Sequence, residues 1–459
     1  MARPTVRLSL APVALGVCLL MAGAAASAQL AGEVEFSRGV GFAQTPGQQP
    51  RTLGKGLPLR EGDRLTTSDG ASAIIKLEDG TRMTVRPNSE LVLQQYQFKE
   101  NADNNTMLMQ LVRGGFRAVT GLISKNAPGA AKVQTSTATI GIRGTDFDAR
   151  LCQRECGAES SKVSEASRPN TVLASAKVVN SQGMVNAVDT AGARRRLSDG
   201  GSIYPGETVE TGPATRAVLV FRDDTRISVG STTRFRVDNF VYDENNAGDG
   251  RFLASLLKGS VRALTGLIAK ANNRNVGFAT ATATIGVRGS GADMTCTGAC
   301  AGEPSLDGTS GFSIYSWLGS WTLQQNGTGQ NALQLLQAGQ GLVITPTGIR
   351  AITAEPPSEG QRPDGINVPP KLFSRDTVAE NAEGLFVFVR DGHIEVATAG
   401  ELLQLGKGEA GFANNNGQTL RPTTIPKFIE FDKVPLPNSK SPLLVSVLAD
   451  NNIKTNKCN

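Results

Sequence analysis

A chain of 459 residues and 48.1 kDa has room for two or three domains of ~100–200 residues each. Its 47 Lys and Arg against 41 Asp and Glu give a formal charge of +6, a bias too small to imply a nucleic-acid partner. The single histidine, His393, excludes His-based metal clusters and any His-assisted catalysis repeated per domain. With 52 Gly, 22 Pro and 5% aromatics, the composition favours many short strands over long helices.

The N-terminus carries Arg3 and Arg7, an apolar stretch from Leu8 to Ala26, and then Ala26-Ser27-Ala28. A short basic start, an apolar core and a small-x-small site predict a signal peptide over 1–28, cleaved to leave Gln29 first. Its loss lowers the formal charge to +4. The stretch contains Pro12 and falls short of the ~20 residues a bilayer span needs, which disfavours an uncleaved anchor. Val17 before Cys18 disfavours a lipoprotein signal. No later segment is apolar enough to span a membrane, so the expected product is exported and soluble.

Downstream the chain repeats itself. Leu111-Val112-Arg113-Gly114 and Arg117 to Lys125 return as Leu256-Leu257-Lys258-Gly259 and Arg262 to Lys270, an offset of 145. Thr137 to Gly144 returns as Thr282 to Gly289 at that offset, while Asp79, Thr81 and Arg82 return as Asp223, Thr225 and Arg226 at 144. A fixed period with single-residue slips marks two copies of one fold. Each copy reads as β: Ala73 to Leu77, a turn at Asp79-Gly80, and Arg82 to Val85 predict a hairpin, repeated at Val218 to Phe221 and Arg226 to Val229. Gly141, Gly144, Gly286 and Gly289 interrupt strand-like runs and read as bulges or close approaches. A phosphate cradle would need a helix to follow, and no helical pattern does.

Four cysteines form two pairs of equal spacing, Cys152/Cys156 and Cys296/Cys300. In an oxidising compartment each pair predicts a small disulfide loop; one shared zinc site is the alternative, and Cys458 is left over. A second pattern links Gly311 to Leu323 with Gly384 to Val396, both read as hairpins turning at Gly319 and Gly392. Between them Glu355 to Lys371 holds five prolines and reads as a linker. After Pro426 the apolar patches lack a period, with a candidate edge strand at Leu443 to Val447.

On Gly62-Asp63, Asp79-Gly80, Leu111 to Gly114 and Thr137 to Thr145, the chain resembles the FecR-like domain family, named after the ferric-citrate uptake regulator. The closing hairpin falls on Gly183 for the first copy and Gly319 for the second; a like unit at Gly39 leaves open that such hairpins begin each copy. The resemblance implies a β-rich exported domain in the envelope of a Gram-negative bacterium, periplasmic or at the cell surface. In founding members the domain contacts an outer-membrane receptor and relays its signal to a cytoplasmic sigma factor. Only about seven residues precede the apolar segment here, so no cytoplasmic anti-sigma region is expected.

The expected architecture is all-β: tandem β-sandwich or β-roll-like FecR-type domains with a small hairpin-rich C-terminal unit. Its parts are a signal peptide (1–28), copy one (31–156), a linker (157–174), copy two (175–345), a Pro-rich linker (346–371), and a partial unit with its tail (372–459). Candidate binding residues are Arg143 and Arg288, with Asp148 and Asp293 nearby, and a Tyr315/Trp317/Trp321 face able to stack on sugars. Each has a plainer reading: Arg–carboxylate contacts pinning a strand, and aromatics packed on a neighbouring sheet. Arg194 to Arg196 reads as a solvated strand edge, and His393 as an incidental exposed turn residue. No catalytic set, cofactor or metal site is legible, and an enzyme is not expected. The expected work is binding an envelope protein as a scaffold or signalling accessory. Polysaccharide binding and membrane-anchored sigma-factor regulation are the alternatives.

Overall fold

The computed structural model describes residues 29–438 apart from 103, 128, 290, 305–309, 327–333 and 358–359. The signal-peptide segment, the strand expected at Leu443 to Val447 and Cys458 lie outside these residues. Strands make up 49% and helices 9%, in two large sheet systems with no closed barrel, so the fold is all-β.

The Asp-Gly hairpins form where the alternation placed them. Ser72–Leu77 pairs with Arg82–Val85 in the register Ile75↔Met83, and Ala73, Ile75, Leu77, Met83 and Val85 enter one core. Arg216–Phe221 and Arg226–Val229 repeat this with Ala217, Leu219, Phe221, Ile227 and Val229. Alternate side chains on paired strands point to one face, so each hairpin buries a continuous apolar strip.

The longest strand of each copy, Thr106–Val119 or Arg251–Leu264, belongs to two sheets. In the first copy its early half pairs with Glu90–Gln97 and its late half with Arg82–Val85 and Asp146–Cys152. The change of sheet falls at Gly114 (φ 73°) and Gly259 (φ 85°). A Cβ there would lie 2.6 Å from the Cα of Ser89 or Thr233, so only glycine fits the bend. Beyond the strand, the Asp79 carbonyl accepts the Leu122 N–H at 2.8 Å and Thr81 Oγ1 the Gly121 N–H at 2.9 Å. Asp223 and Thr225 do the same for Leu267 and Gly266 at 2.7 and 2.9 Å. The repeated Asp-x-Thr is therefore a clasp holding the chain as it leaves the shared strand.

The two copies are not laid end to end. Strands from Ala176–Gln182 to Gly348–Ile352 build one sheet system. The other joins Leu30–Arg38 through Asp146–Cys152 to the distant strands Gly384–Asp391 through Thr419–Leu420. Gly384–Asp391 pairs with Asp146–Cys152, and His393–Ala397 with Thr139–Ile142. Phe312–Leu318 and Ser320–Gln325 hold the equivalent places in the second copy. The turns at Gly39 and Gly183 therefore open the units, and those at Gly319 and Gly392 close them; none is the hairpin expected from sequence, because the strands on either side of each turn enter different sheets. The stretch 384–420 does not stand alone: it covers sheet edges of the first copy that would otherwise keep unpaired backbone groups. The whole second copy is inserted within the first.

Both cysteine pairs are disulfide-bonded, Cys152 to Cys156 and Cys296 to Cys300. The second belongs to its unit's main core, whereas the first joins a satellite cluster with Phe386, Phe412, Phe428 and Ile429. At the junction of the units, Lys177 of the inserted copy is sunk into the first. Its Nζ lies 3.1 Å from Glu409, which also holds Arg421 at 2.7 Å, all three side chains at most 1% exposed.

Candidate functional site

One outer sheet face of each copy carries the same cross-strand row. Thr84 stands opposite Arg117 and Arg117 opposite Asp148; Ser228, Arg262 and Asp293 form the matching row. Residues directly opposite in a ladder share a face, so strand register alone brings a hydroxyl, a guanidinium and a carboxylate together. In each copy the next strand bulges at one residue, Arg390 between Val389 and Asp391 or Trp317 between Ser316 and Leu318. A bulge re-aims the extra side chain. Arg390 Nε donates to Asp148 at 2.7 Å, and Trp317 Nε1 donates to Asp293 at 3.0 Å.

A segment of the chain's own backbone lies across each face. Over the first, Thr84 donates to the Pro435 carbonyl at 2.8 Å and Arg86 to the Phe428 carbonyl at 3.3 Å, while Arg86 also pairs with Asp432. Over the second, Ser228 donates to the Gln361 carbonyl at 2.8 Å, Arg262 to the Gly360 carbonyl at 2.9 Å, and Arg226 to the Ile366 carbonyl at 3.2 Å. Arg262 also holds Glu355 at 2.8 Å, which binds Arg362 at 2.5 Å, and the Arg362 guanidinium lies 5.0 Å from the Trp317 ring centre. The Pro-rich stretch expected to be a linker is thus a strap on the inserted copy.

The two straps are held differently. The first is anchored by Phe428 and Ile429, buried against Phe386 and the first disulfide. In the second, Pro363 alone is buried among the described residues, and the hydrogen bonds and ion pairs that hold it are polar contacts, those of Glu355 and Arg362 through partly exposed side chains. Electrostatics differ too. Asp148 has both oxygens bound, by Arg86 at 3.1 Å and Arg390. Asp293 binds Arg262 and Trp317 through Oδ1, while its buried Oδ2 has no hydrogen-bond partner among the described residues. Burial pushes the Asp293 carboxyl above the usual range, against the pull of Arg262. Glu355 is held below its usual range by Arg362.

The residues singled out from sequence scatter. Arg143 pairs with Glu395 and exposed Arg288 donates its backbone N–H to Ser320; both lie beside the other sheet, away from Asp148 and Asp293. The aromatic face is not assembled: Trp321 is wholly buried against Phe278, Tyr315 is 8% exposed, and Trp317 is covered by Arg362. The reason is topological, because Phe312–Leu318 and Ser320–Gln325 enter different sheets. Arg194 and Arg195 do lie on an edge strand, paired with Glu210 and Glu207. Reading the sequence missed Arg86, Arg262, Glu355, Arg362 and Arg390. Arg117/Arg262 and Asp148/Asp293, both repeated at 145, were the available signal.

His393 is not an exposed turn residue. Its Nε2 meets Gln404 Oε1 at 2.5 Å, with the Gln404 amide committed to Glu395 at 3.0 Å, and its buried Nδ1 has no partner among the described residues. Protonation would put an N–H where nothing accepts it, near Lys177 and Arg143. Burial, helped by those cations and opposed by Gln404 and Glu409, pushes the ring down to about 4. The folded protein then binds fewer protons than the unfolded chain between pH 4 and 6.5. The stability from neutral His393 is complete above pH 6.5 and falls with pH through about 4, by up to about 3 kcal/mol. Nuclear magnetic resonance of this lone histidine should show a ring titrating near 4, and His393→Asn should lose that share of acid sensitivity. A ring titrating near 6.5 with parallel stability curves would contradict this.

The family described as FecR protein matches residues 63–164 and 207–299. No curated protein matches the chain. Two crystal structures of an anti-sigma-factor candidate from Parabacteroides distasonis ATCC 8503 are 12% identical, cover 53% of this chain and 74% or 71% of their own, and give a TM-score of 0.16. A likeness that slight carries no argument.

Proposed function

From the premise that this chain carries two FecR-type copies, we propose that it is an exported, non-catalytic protein that docks another envelope protein as a scaffold or accessory in a signalling pathway of the kind that family serves. One observation supports the reading above others: each copy turns a face of hydroxyl, guanidinium and carboxylate groups toward a covering segment of backbone and grips it through its carbonyls, by Thr84 and Arg86 in the first copy and Ser228 and Arg262 in the second. A surface that holds polypeptide by main-chain acceptors and a few charged anchors suits protein recognition. The two disulfides agree with an oxidising compartment, and none of the described helices is long and apolar enough to cross a membrane. The test is crosslinking in the native cell envelope, followed by affinity purification, N-terminal sequencing and mass spectrometry. One dominant envelope protein attached to a chain beginning at Gln29 is expected. Self-links alone, or a chain still bearing residues 1–28, would count against the proposal.

A further inference from the structure

The two faces share one plan but are closed to different degrees. Over the first, Phe428 and Ile429 drive the strap into an apolar cluster and both Asp148 oxygens are bound. Over the second, Glu355 and Arg362 have side chains 37% and 41% exposed, and Asp293 Oδ2 is sealed from water without a donor. A buried carboxylate oxygen lacking a hydrogen bond is costly, so the second face can still gain from a better occupant; the first leaves Arg86 Nε without a partner among the described residues, but its strap is fixed by buried Phe428 and Ile429 rather than by exposed polar contacts.

We infer that the face of the inserted copy formed by Arg226, Ser228, Arg262, Asp293 and Trp317 is a docking site for an acidic segment of a partner protein that turns as the strap does, and that the strap around Glu355 and Gly360–Ile366 is a cis-ligand that segment displaces. The incoming carboxylate takes the place of Glu355 on Arg262. Its backbone carbonyls accept from Ser228 and Arg226, as those of Gln361 and Ile366 do now. One of its N–H groups supplies the donor Asp293 Oδ2 lacks. The strap slows premature docking because a tethered competitor acts at roughly millimolar effective concentration. This inference rests on the docking function proposed above and names its surface.

The test uses the full chain and a fluorescent synthetic peptide with the strap sequence, residues 353–366. A variant with Glu355→Ala and Arg362→Ala opens the strap at two largely exposed side chains, and its unchanged melting curve controls for folding. Fluorescence anisotropy should show it binding the peptide at least ~10-fold more tightly than the wild type. A peptide with Gln in place of its first Glu should bind the opened chain at least ~10-fold more weakly. Equal binding by both chains, indifference to the Glu-to-Gln change, or no binding would overturn the inference. Failure here with a partner still crosslinked in the envelope would leave docking standing at another surface. Success here with no envelope partner would instead remove the docking function and keep the face.

Discussion

Glu409→Ala should destabilise the protein by about 3–5 kcal/mol, because it strips the one anion from two buried cations. Lys177 and Arg421 approach Glu409 Oε2 at 3.1 and 2.7 Å from opposite units of the fold. Burial pushes the Glu409 carboxyl up, but Lys177 and then Arg421 more than offset this and hold it below its usual range. Burial pushes Lys177 down to about 8, with Glu409 opposing, so at neutral pH the pair is charged. Without Glu409, no described anion remains on either cation: Lys177 keeps the Gln404 carbonyl at 3.0 Å and the Phe373 ring at 5.9 Å, and Arg421 the carbonyls of Ser374, Gln404 and Lys371 at 2.9, 3.1 and 3.5 Å. Adding Lys177→Met should restore part of the loss by removing one stranded charge. Both tryptophans, Trp317 and Trp321, lie in the inserted copy, so their fluorescence reports that unit while circular dichroism reports the whole. In urea the two signals should coincide for the wild type and separate for Glu409→Ala. A loss below about 1 kcal/mol with coincident curves would contradict a charge-clamped junction.

Trp321→Ala should cost about 3–5 kcal/mol, the toll of removing a wholly buried aromatic from a closed core. Its ring centre lies 5.9 Å from that of Phe278, and its Nε1 faces the Gly291 carbonyl at 3.4 Å. Trp317→Ala removes the Asp293 hydrogen bond, the stack under Arg362 and the packing of a half-buried ring on Gly291, a change of about 1–2 kcal/mol. Denaturant titration separates the two. Neither substitution should alter retention on immobilised polysaccharide, because neither ring offers a free face. A near-neutral Trp321→Ala that abolished glycan retention would overturn this placement of the ring.

Local chemistry was legible where pattern and period carry it. Asp79-Gly80 and the paired cysteines depend on neighbours close in sequence, and duplication marked Asp79/Thr81 and Asp223/Thr225, although the clasp they form reaches partners 40 and 41 residues on. The likeness of 311–323 to 384–396 also marked two equivalent strand–turn–strand units, but these are not hairpins, because in each the two strands enter different sheets. It could not show that Gly384–Asp391 pairs with Asp146–Cys152 across more than two hundred residues, because spacing carries no signal for distant pairing. Trp321 was misplaced because a turn at Gly319 suggests one flat hairpin, whereas its strands part into two sheets. The straps were invisible because carbonyl acceptors belong to every residue type. A Pro-rich stretch without a period gives no sign that Ser228 or Arg262 is waiting beneath it.

Site-specific photo-crosslinking in the native envelope tests the docking account most directly. A benzophenone residue would replace Leu318, 49% exposed and adjoining Trp317, or Ala191, an exposed loop residue beside the arginine-rich edge. The account predicts one envelope protein captured from position 318, in greater yield when the strap is opened, and none from position 191. Capture from 191 alone, or equal capture from both whatever the state of the strap, would contradict it.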